Sequence, residues 1–304
     1  MVSVSVTGGN GFVGRNLVPY LKSNGFDLNI INRDQLNNIN TDVIGHCDVI
    51  VHLAGKAHDL RKTQEPDEYY SVNFDLTKKL YDAFLKSYAT KFIFISSVKS
   101  GADLVEGILK ETDIPDPKTD YGKSKLMAET YIQQQDLPEG KSYIILRPCM
   151  IHGPGNKGNL NLLYKVVQKG LPYPLASFEN KRSFLSIANL NLIIGKIIAC
   201  HDLNSGIYNV ADDEPLSTNE VIRLIAHSIG IKARLWKINP KLITFVARIG
   251  DLLHLPLNSD SLRKLTETYV VSNDKIKKAL ALKRLPLSSS EGLSVTIKSF
   301  DSQY

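Results

Sequence analysis

The chain has 304 residues, 43% of them hydrophobic, with 37 basic and 31 acidic residues for a formal net charge of +6, which is core enough for one large α/β domain or two smaller ones. Apart from short runs around Lys275, Lys277 and Lys278 and at Lys283-Arg284, the basic residues are scattered, so no nucleic-acid partner is expected. Three widely separated cysteines (Cys47, Cys149, Cys200) offer neither a disulfide framework nor metal-ligand spacing, no apolar stretch spans a bilayer and no secretory leader opens the chain; the expectation is no metal, no membrane partner and a cytoplasmic location.

In chain order, Val2 to Thr7 reads as a strand and Gly11 to about Asn24 as a helix, joined through Thr7-Gly8-Gly9-Asn10-Gly11-Phe12-Val13-Gly14. An abrupt strand-to-helix turn without side chains leaves helical N–H groups unpaired at the positive end of the helix dipole, where a dinucleotide's pyrophosphate is held. Gly8, Gly11 and Gly14 supply the tight turn, the bare backbone and the close helix-to-strand packing, with Phe12 and Val13 opening the helix. A second strand, Asp27 to Asn32, runs into Arg33-Asp34 at the place where an acid ordinarily hydrogen-bonds the ribose of NAD. Neutral Asn32 removes a charge that would repel a 2′-phosphate and Arg33 can pair with that phosphate, which favours NADP as cofactor. The alternative, Arg33 in solvent and Asn32 or Asp34 on the ribose of NAD, stays open.

Asp48 to Leu53 follows as a strand, then a helix within about Asp67 to Ser87, the buried strand Lys91 to Ser96, a helix from Tyr121 and the strand Ser142 to Arg147. Near-continuous apolar strands alternating with helices are what a parallel sheet covered on both faces requires, so the fold class is α/β, a Rossmann-type doubly wound parallel sheet. Past Arg147 the alternation loosens and proline and glycine accumulate. Helical patterns return at Asn189 to Cys200, Thr218 to Ser228, Pro240 to Leu253 and Asn273 to Leu280, with a strand at Gly206 to Val210. The expected division is a dinucleotide-binding domain over 1–150 and a smaller mixed α/β substrate domain over 151–304, with segments of the second half free to rejoin the first.

Tyr121 and Lys125 stand four residues apart on one helix and therefore share a face. A phenol with a reference pKa of about 10 is a poor base near neutrality, and a neighbouring ammonium and a positive nicotinamide ring both favour phenolate. Tyr121 is then placed to take a proton from a hydroxyl or return one to an alkoxide. Ser97, just beyond the carboxyl end of its strand, is expected to hydrogen-bond the same oxygen; Ser96, the last strand residue, is the alternative.

The combination Thr7-Gly8-x-x-Gly11-x-x-Gly14, Ser96-Ser97, Tyr121-x-x-x-Lys125 and a long C-terminal part resembles the extended short-chain dehydrogenase/reductases, and within them the nucleotide-sugar epimerases, dehydratases and reductases. The likeness runs through nearly the whole chain. It implies that Leu53, Ala54 and Gly55 line the cofactor, with Asn73 on the following helix and Pro148 and Ile151 along the nicotinamide. It implies that the substrate, a nucleotide-sugar, meets Ser97, Lys99, Asn159 near the phosphates, Tyr173 near the base and Arg182 at the diphosphate. Arg263 reads as a further diphosphate contact or as a helix cap. Relatives dimerise through helices corresponding to about Asp67 to Ser87 and Tyr121 to Gln135, so a homodimer is expected.

One departure narrows the chemistry. Dehydratases of this kind carry an acidic pair after the catalytic hydroxyl residue, and here Ser97 is followed by Val98 and Lys99, which disfavours dehydration. What remains is hydride transfer at one carbon, C4 of a hexose carried on a nucleotide, UDP by preference, either as a 4-epimerase or as a 4-keto-sugar reductase. The alternative is a catalytically silent protein that uses NADP as a regulatory or redox-sensing ligand, against which the intact Ser97, Tyr121 and Lys125 stand. Lys56 and His58 read as solvated loop residues, and His152 and Cys149 as packing.

Overall fold

The structure is a computed structural model that describes residues 1–56, 65–156, 158–253 and 258–301. β1 (Ser3–Thr7) leads through the glycine turn into α1 (Phe12–Ser23), β2 (Asp27–Ile31) and two short helices, α2 (Arg33–Asn37) and α3 (Thr41–Ile44). After β3 (Val49–His52), α4 (Pro66–Tyr70) continues through a π-helical turn (Ser71–Asp75) into α5 (Leu76–Lys86) and β4 (Lys91–Ile95). A 3-10 turn (Val98–Ser100) and β5 (Ile108–Leu109) precede α6 (Asp120–Gln134), β6 (Ser142–Pro148) and β7 (Met150–His152).

Six strands form one sheet, parallel throughout, and β9 at its far edge is Gly206–Val210. The order β2-β1-β3-β4-β6-β9 reverses direction between β1 and β3, where Thr7 lies opposite His52. Alternate strand residues face opposite layers. Val4, Val6, Val51, Ile93 and Ile144 pack with Leu17 and Leu21 of α1, and with Leu190 and Ile194 of a long helix, α8 (Ile187–Ala199). Ile50, Phe92, Phe94 and Ile145 pack with Leu80 and Phe84 of α5 and Ala128 and Ile132 of α6. This two-sided burial is why the strands read as continuous apolar runs.

The remaining elements build the second region: α7 (Asn159–Gln168), β8 (Phe184–Ser186) beside β7, α9 (Thr218–Ser228), α10 (Pro240–Leu253), α11 (Ser259–Thr266), β10 (Val270–Val271) beside β5, α12 (Asp274–Ala279) and α13 (Ser289–Asp301). The segment 206–210, which the sequence places among the mixed C-terminal elements, instead pairs with β6 as the edge of the main sheet. Helices α7, α11 and α13 fall where sequence periodicity marks none. For α7 the reason is its flanking Gly and Pro, which mask Leu160, Tyr164 and Val167, all buried with Val221 and Ile225 of α9.

Candidate active site

The cofactor end is built where β1 and β3 diverge, the place at which open α/β sheets bind ligands. Gly8 has φ +71°, and a Cβ there would lie 2.6 Å from Ala54 N and 2.8 Å from Leu53 C, so only glycine lets the turn after β1 touch the loop after β3. A Cβ on Gly14 would lie 2.4 Å from Gly8 O, which brings α1 hard against the turn. Gly11, the N-cap of α1, supplies no side-chain acceptor to the first-turn N–H groups, and Phe12 and Val13 pack back onto the core. A bare concave backbone at a helix N-terminus fits a dinucleotide's diphosphate.

Behind that turn runs a neutral chain of hydrogen bonds. Ala54 N–H donates to Thr7 Oγ1 (3.1 Å), the Thr7 hydroxyl meets His52 Nδ1 (2.7 Å), His52 Nε2 meets Thr77 Oγ1 (2.9 Å), and the Thr77 hydroxyl donates to Asn73 O (2.8 Å). Because Thr77 spends its one proton on Asn73, His52 must donate from Nε2 and accept at Nδ1. Burial, and then the Lys125 ammonium, push the imidazole pKa down to about 3, so the ring is neutral. Asn73 lies in the π-helical turn and clamps the loop: its amide accepts from Lys56 N (2.8 Å) and donates to Lys56 O (3.2 Å) and Ser124 Oγ (3.1 Å). Lys56 itself pairs with Glu68.

At the catalytic end Tyr121 and Lys125 occupy the first two turns of α6, which is capped by Thr119 Oγ1 accepting from Gly122 N. A Cβ on Gly122 would meet Lys99 O at 2.4 Å, so the helix start sits directly on the 3-10 turn that follows Ser97. That contact brings together two segments 24 residues apart and sets Ser97 and Tyr121 in one cleft wall. Burial raises the phenol pKa, neighbouring Ser97 opposes this, and Tyr69 adds to it. The expectation that Lys125 acts on the phenol directly is not what the geometry delivers. Its Nζ donates to Ile95 O (3.0 Å) at the end of β4 and lies 4.8 Å from the centre of the Phe94 ring. Burial pulls its pKa to about 8, and the Glu129 carboxylate one turn on holds it up against that fall.

The two serines divide. Ser96 and Ser100 both turn to Glu129, the latter at 2.6 Å, while Ser97 lines the cleft. Glu129 in turn receives Arg147 Nε at 3.0 Å and Nη2 at 2.5 Å, an ion pair with both side chains at most 1% exposed. Neither Glu129 nor Arg147 emerges from sequence reasoning as part of the site, although Glu129 at eight residues past Tyr121 and four past Lys125 continues their helix face.

The cleft itself is a cavity of about 400 Å³ walled by Ser97, Lys99, Tyr121, Ile151, Arg182, Glu267 and Tyr269, among others. Lys99 donates to Asp103 O (3.0 Å) and stands 4.3 Å from the centre of the Tyr269 ring, and burial lowers its pKa against the pull of Asp103. Arg182 donates Nε to Glu267 O (3.2 Å), bonds Lys264 O and pairs with the Glu267 carboxylate at 3.6 Å. Glu267 and Tyr269 carry no local motif. They reach the cleft because Tyr269 bridges to Arg182 and β10 pairs with β5 in a separate two-stranded sheet.

Of the other residues weighed from the sequence, Cys149 and His152 line the cavity, whereas Tyr173 and Arg263 do not. Tyr173 packs between two apolar clusters; burial raises its pKa, and Thr218 and the Arg182 charge oppose this. Arg263 is exposed and pairs with Asp260 (2.6 Å) on its own helix. Asn159 begins α7, but its side chain and all of His58 lie outside the described residues. Asn32 caps α2, its Oδ1 accepting from Gln35 N (2.9 Å), and Arg33 beside it is exposed. Pro148 ends β6. Cys149 is buried, its thiol pushed well up, and His152 is buried with Nδ1 2.8 Å from Thr296 Oγ1. Among the described residues no cluster of His, Cys, Asp and Glu could hold a metal ion, and no helix is long and apolar enough to cross a membrane.

Comparison with known proteins adds a lineage to this geometry. The model of the NAD dependent epimerase/dehydratase family matches residues 4–211. A UDP-glucose 4-epimerase of Vibrio cholerae is 31% identical, covering 98% of this chain and 95% of that protein. A GDP-6-deoxy-D-mannose reductase of Pseudomonas aeruginosa is 26% identical, covering 73% and 78%. Among solved structures, MoeE5 in complex with UDP-glucose and NAD aligns with a TM-score of 0.79 at 20% identity over 99% of each chain, a likeness of fold.

Proposed function

The chain belongs to the NAD dependent epimerase/dehydratase family, and from that premise we propose that it transfers hydride at C4 of a hexose carried on a nucleoside diphosphate, UDP by preference. The observation that carries this reading is that Ser97 and Tyr121 share the wall of one cavity of about 400 Å³. When bound, a nicotinamide dinucleotide supplies the acceptor for the C4 hydride and the donor for its return. The glycine turn would hold its diphosphate, with Leu53, Ala54 and Gly55 alongside. Tyr121 Oη takes the C4 hydroxyl proton as the C–H bond breaks and gives it back when the carbonyl is reduced, while Ser97 orients the same oxygen. Lys125 holds the end of β4 through Ile95 O and supplies positive charge behind the site. Lys99 and Arg182 would meet the substrate diphosphate, Arg182 exchanging Glu267 for it. Dehydration finds no base beside Ser97, since Val98 is buried and Lys99 is bonded to Asp103 O.

Two outcomes share this machinery. The Vibrio cholerae relative favours 4-epimerisation. Exposed Arg33 at the end of β2 favours reduction of a 4-keto-sugar with NADPH. A homodimer through α5 and α6 belongs to the same reading, and light scattering checks it. The deciding experiment incubates the protein with UDP-sugars and UDP-4-keto-sugars, with and without NADPH, while nicotinamide absorbance is followed. Stoichiometric loss of NADPH marks a reductase and sugar interconversion without net loss marks an epimerase. Silence with every sugar overturns the proposal.

A further inference from the structure

Helix α10 has two apolar faces where its fold needs one. At about 100° per residue, Ile243, Ala247 and Gly250 point inward, and the first two pack on Leu175 and Leu262. Leu242, Phe245, Val246, Ile249, Leu252 and Leu253 occupy a separate sector that faces solvent, with exposures from 40% at Ile249 to 79% at Leu252. Thr244, Arg248 and Asp251 fill the third sector. Scattered exposed apolar side chains need no explanation, but a contiguous stripe along about three helical turns does.

The charge around the stripe says what covers it. Lys241 and Arg248 border one edge, and the chain entering the helix carries Lys232, Arg234 and Lys237, all exposed, with exposed Trp236 among them. Asp251 is the single acid between residues 231 and 253. An apolar stripe flanked by basic residues and an amphipathic ring matches an interfacial helix, with hydrocarbon under the stripe and anionic headgroups beside the cations. A second copy of the same face would bring those cations together, against the association.

We propose that α10 seats this protein peripherally on an anionic lipid bilayer. The proposal is independent of the reaction assigned to the cleft. α10 packs on Leu262 of α11, and the Lys264 carbonyl of α11 bonds Arg182 in the cleft wall, so the helix is joined to the rim of the cleft through α11.

The test is co-sedimentation of the full chain with phosphatidylglycerol/phosphatidylcholine vesicles and with phosphatidylcholine vesicles alone, in low salt and in about 0.5 M salt. Pelleting with anionic vesicles is expected to be about tenfold stronger than with neutral ones and to weaken in high salt. Joint replacement Phe245→Asp and Ile249→Asp, at exposed positions, should abolish it while dinucleotide binding and circular dichroism stay unchanged. Lys241→Glu with Arg248→Glu should lose the preference for anionic vesicles. Vesicle binding equal for both lipids, or none, overturns the proposal. So does a concentration-dependent oligomer, seen by light scattering, that the Phe245→Asp/Ile249→Asp variant dissolves, because a second copy then covers the face.

Discussion

Two buried polar clusters stand behind the cleft, and they are built on opposite principles. The cluster under the cofactor turn, Thr7, His52, Thr77 and Asn73, is a neutral chain in which each hydroxyl or ring proton has one assigned acceptor. The cluster under the Ser97–Tyr121 end, Glu129, Arg147, Ser96 and Ser100, is centred on an ion pair. A neutral chain fixes backbone positions with little long-range field, which suits a loop that must present bare N–H groups. An ion pair costs desolvation but projects a field, and Lys125 feels it, since Glu129 opposes the fall of its pKa. The glycine-turn end of the cleft is therefore held by geometry alone, and the end at Ser97 and Tyr121 by geometry and charge.

Four experiments sharpen or break that contrast. The largest effect is expected from Tyr121→Phe, which keeps the ring and removes the proton carrier. Turnover should fall about 10³-fold with dinucleotide affinity nearly unchanged, measured by steady-state kinetics and cofactor titration. Near-normal turnover would place the acid/base elsewhere. Next, Glu129→Gln leaves Arg147 buried beside a neutral amide and should cost about 3 kcal/mol in urea denaturation. Lys125, released from the carboxylate, should then deprotonate below its value of about 8, read from its Nζ resonance. An unchanged resonance would separate the ion pair from the catalytic lysine.

The neutral chain is tested by acid. His52 titrates at about 3 when folded against 6.5 when unfolded, so between those values the unfolded chain takes up a proton that the folded chain refuses. Its stabilising share is intact above pH 6.5 and shrinks as pH falls toward about 3, by roughly 1.4 kcal/mol per pH unit. Denaturation at a series of pH values should show this slope in the parent and its absence in His52→Gln; equal slopes would remove the histidine from the account. The smallest effect is expected from Arg33→Ala, about tenfold on NADP affinity with NAD unchanged, because an exposed pair with a phosphate is screened by solvent. Equal losses for both dinucleotides would place Arg33 away from the 2′-phosphate.

Much of the candidate site is readable without coordinates because it is local. The glycine turn lies between a strand and a helix that both announce themselves, and Tyr121 and Lys125 share a face by helical spacing alone. Ser97 over Ser96 follows from alternation along β4, since the residue beyond the strand end is the one that meets the cleft. The direct action of Lys125 on the phenol was a reasonable expectation from spacing, but the ammonium finds a backbone carbonyl first.

Strand and helix alternation, the glycine turn between β1 and α1 and the face shared by Tyr121 and Lys125 are already legible in the amino-acid order. These depend on periodicities of two and about 3.6 residues that act within one element. That Gly206–Val210 closes the edge of the main sheet, that Glu129 meets Arg147 and that Glu267 and Tyr269 wall the cleft emerges only from packing. Packing also decided which of two apolar faces of α10 the core would bury and which it would leave to solvent. Spacing along a chain fixes what a residue's neighbours are on its own element; which element packs against it is set by the competition of all buried surfaces at once.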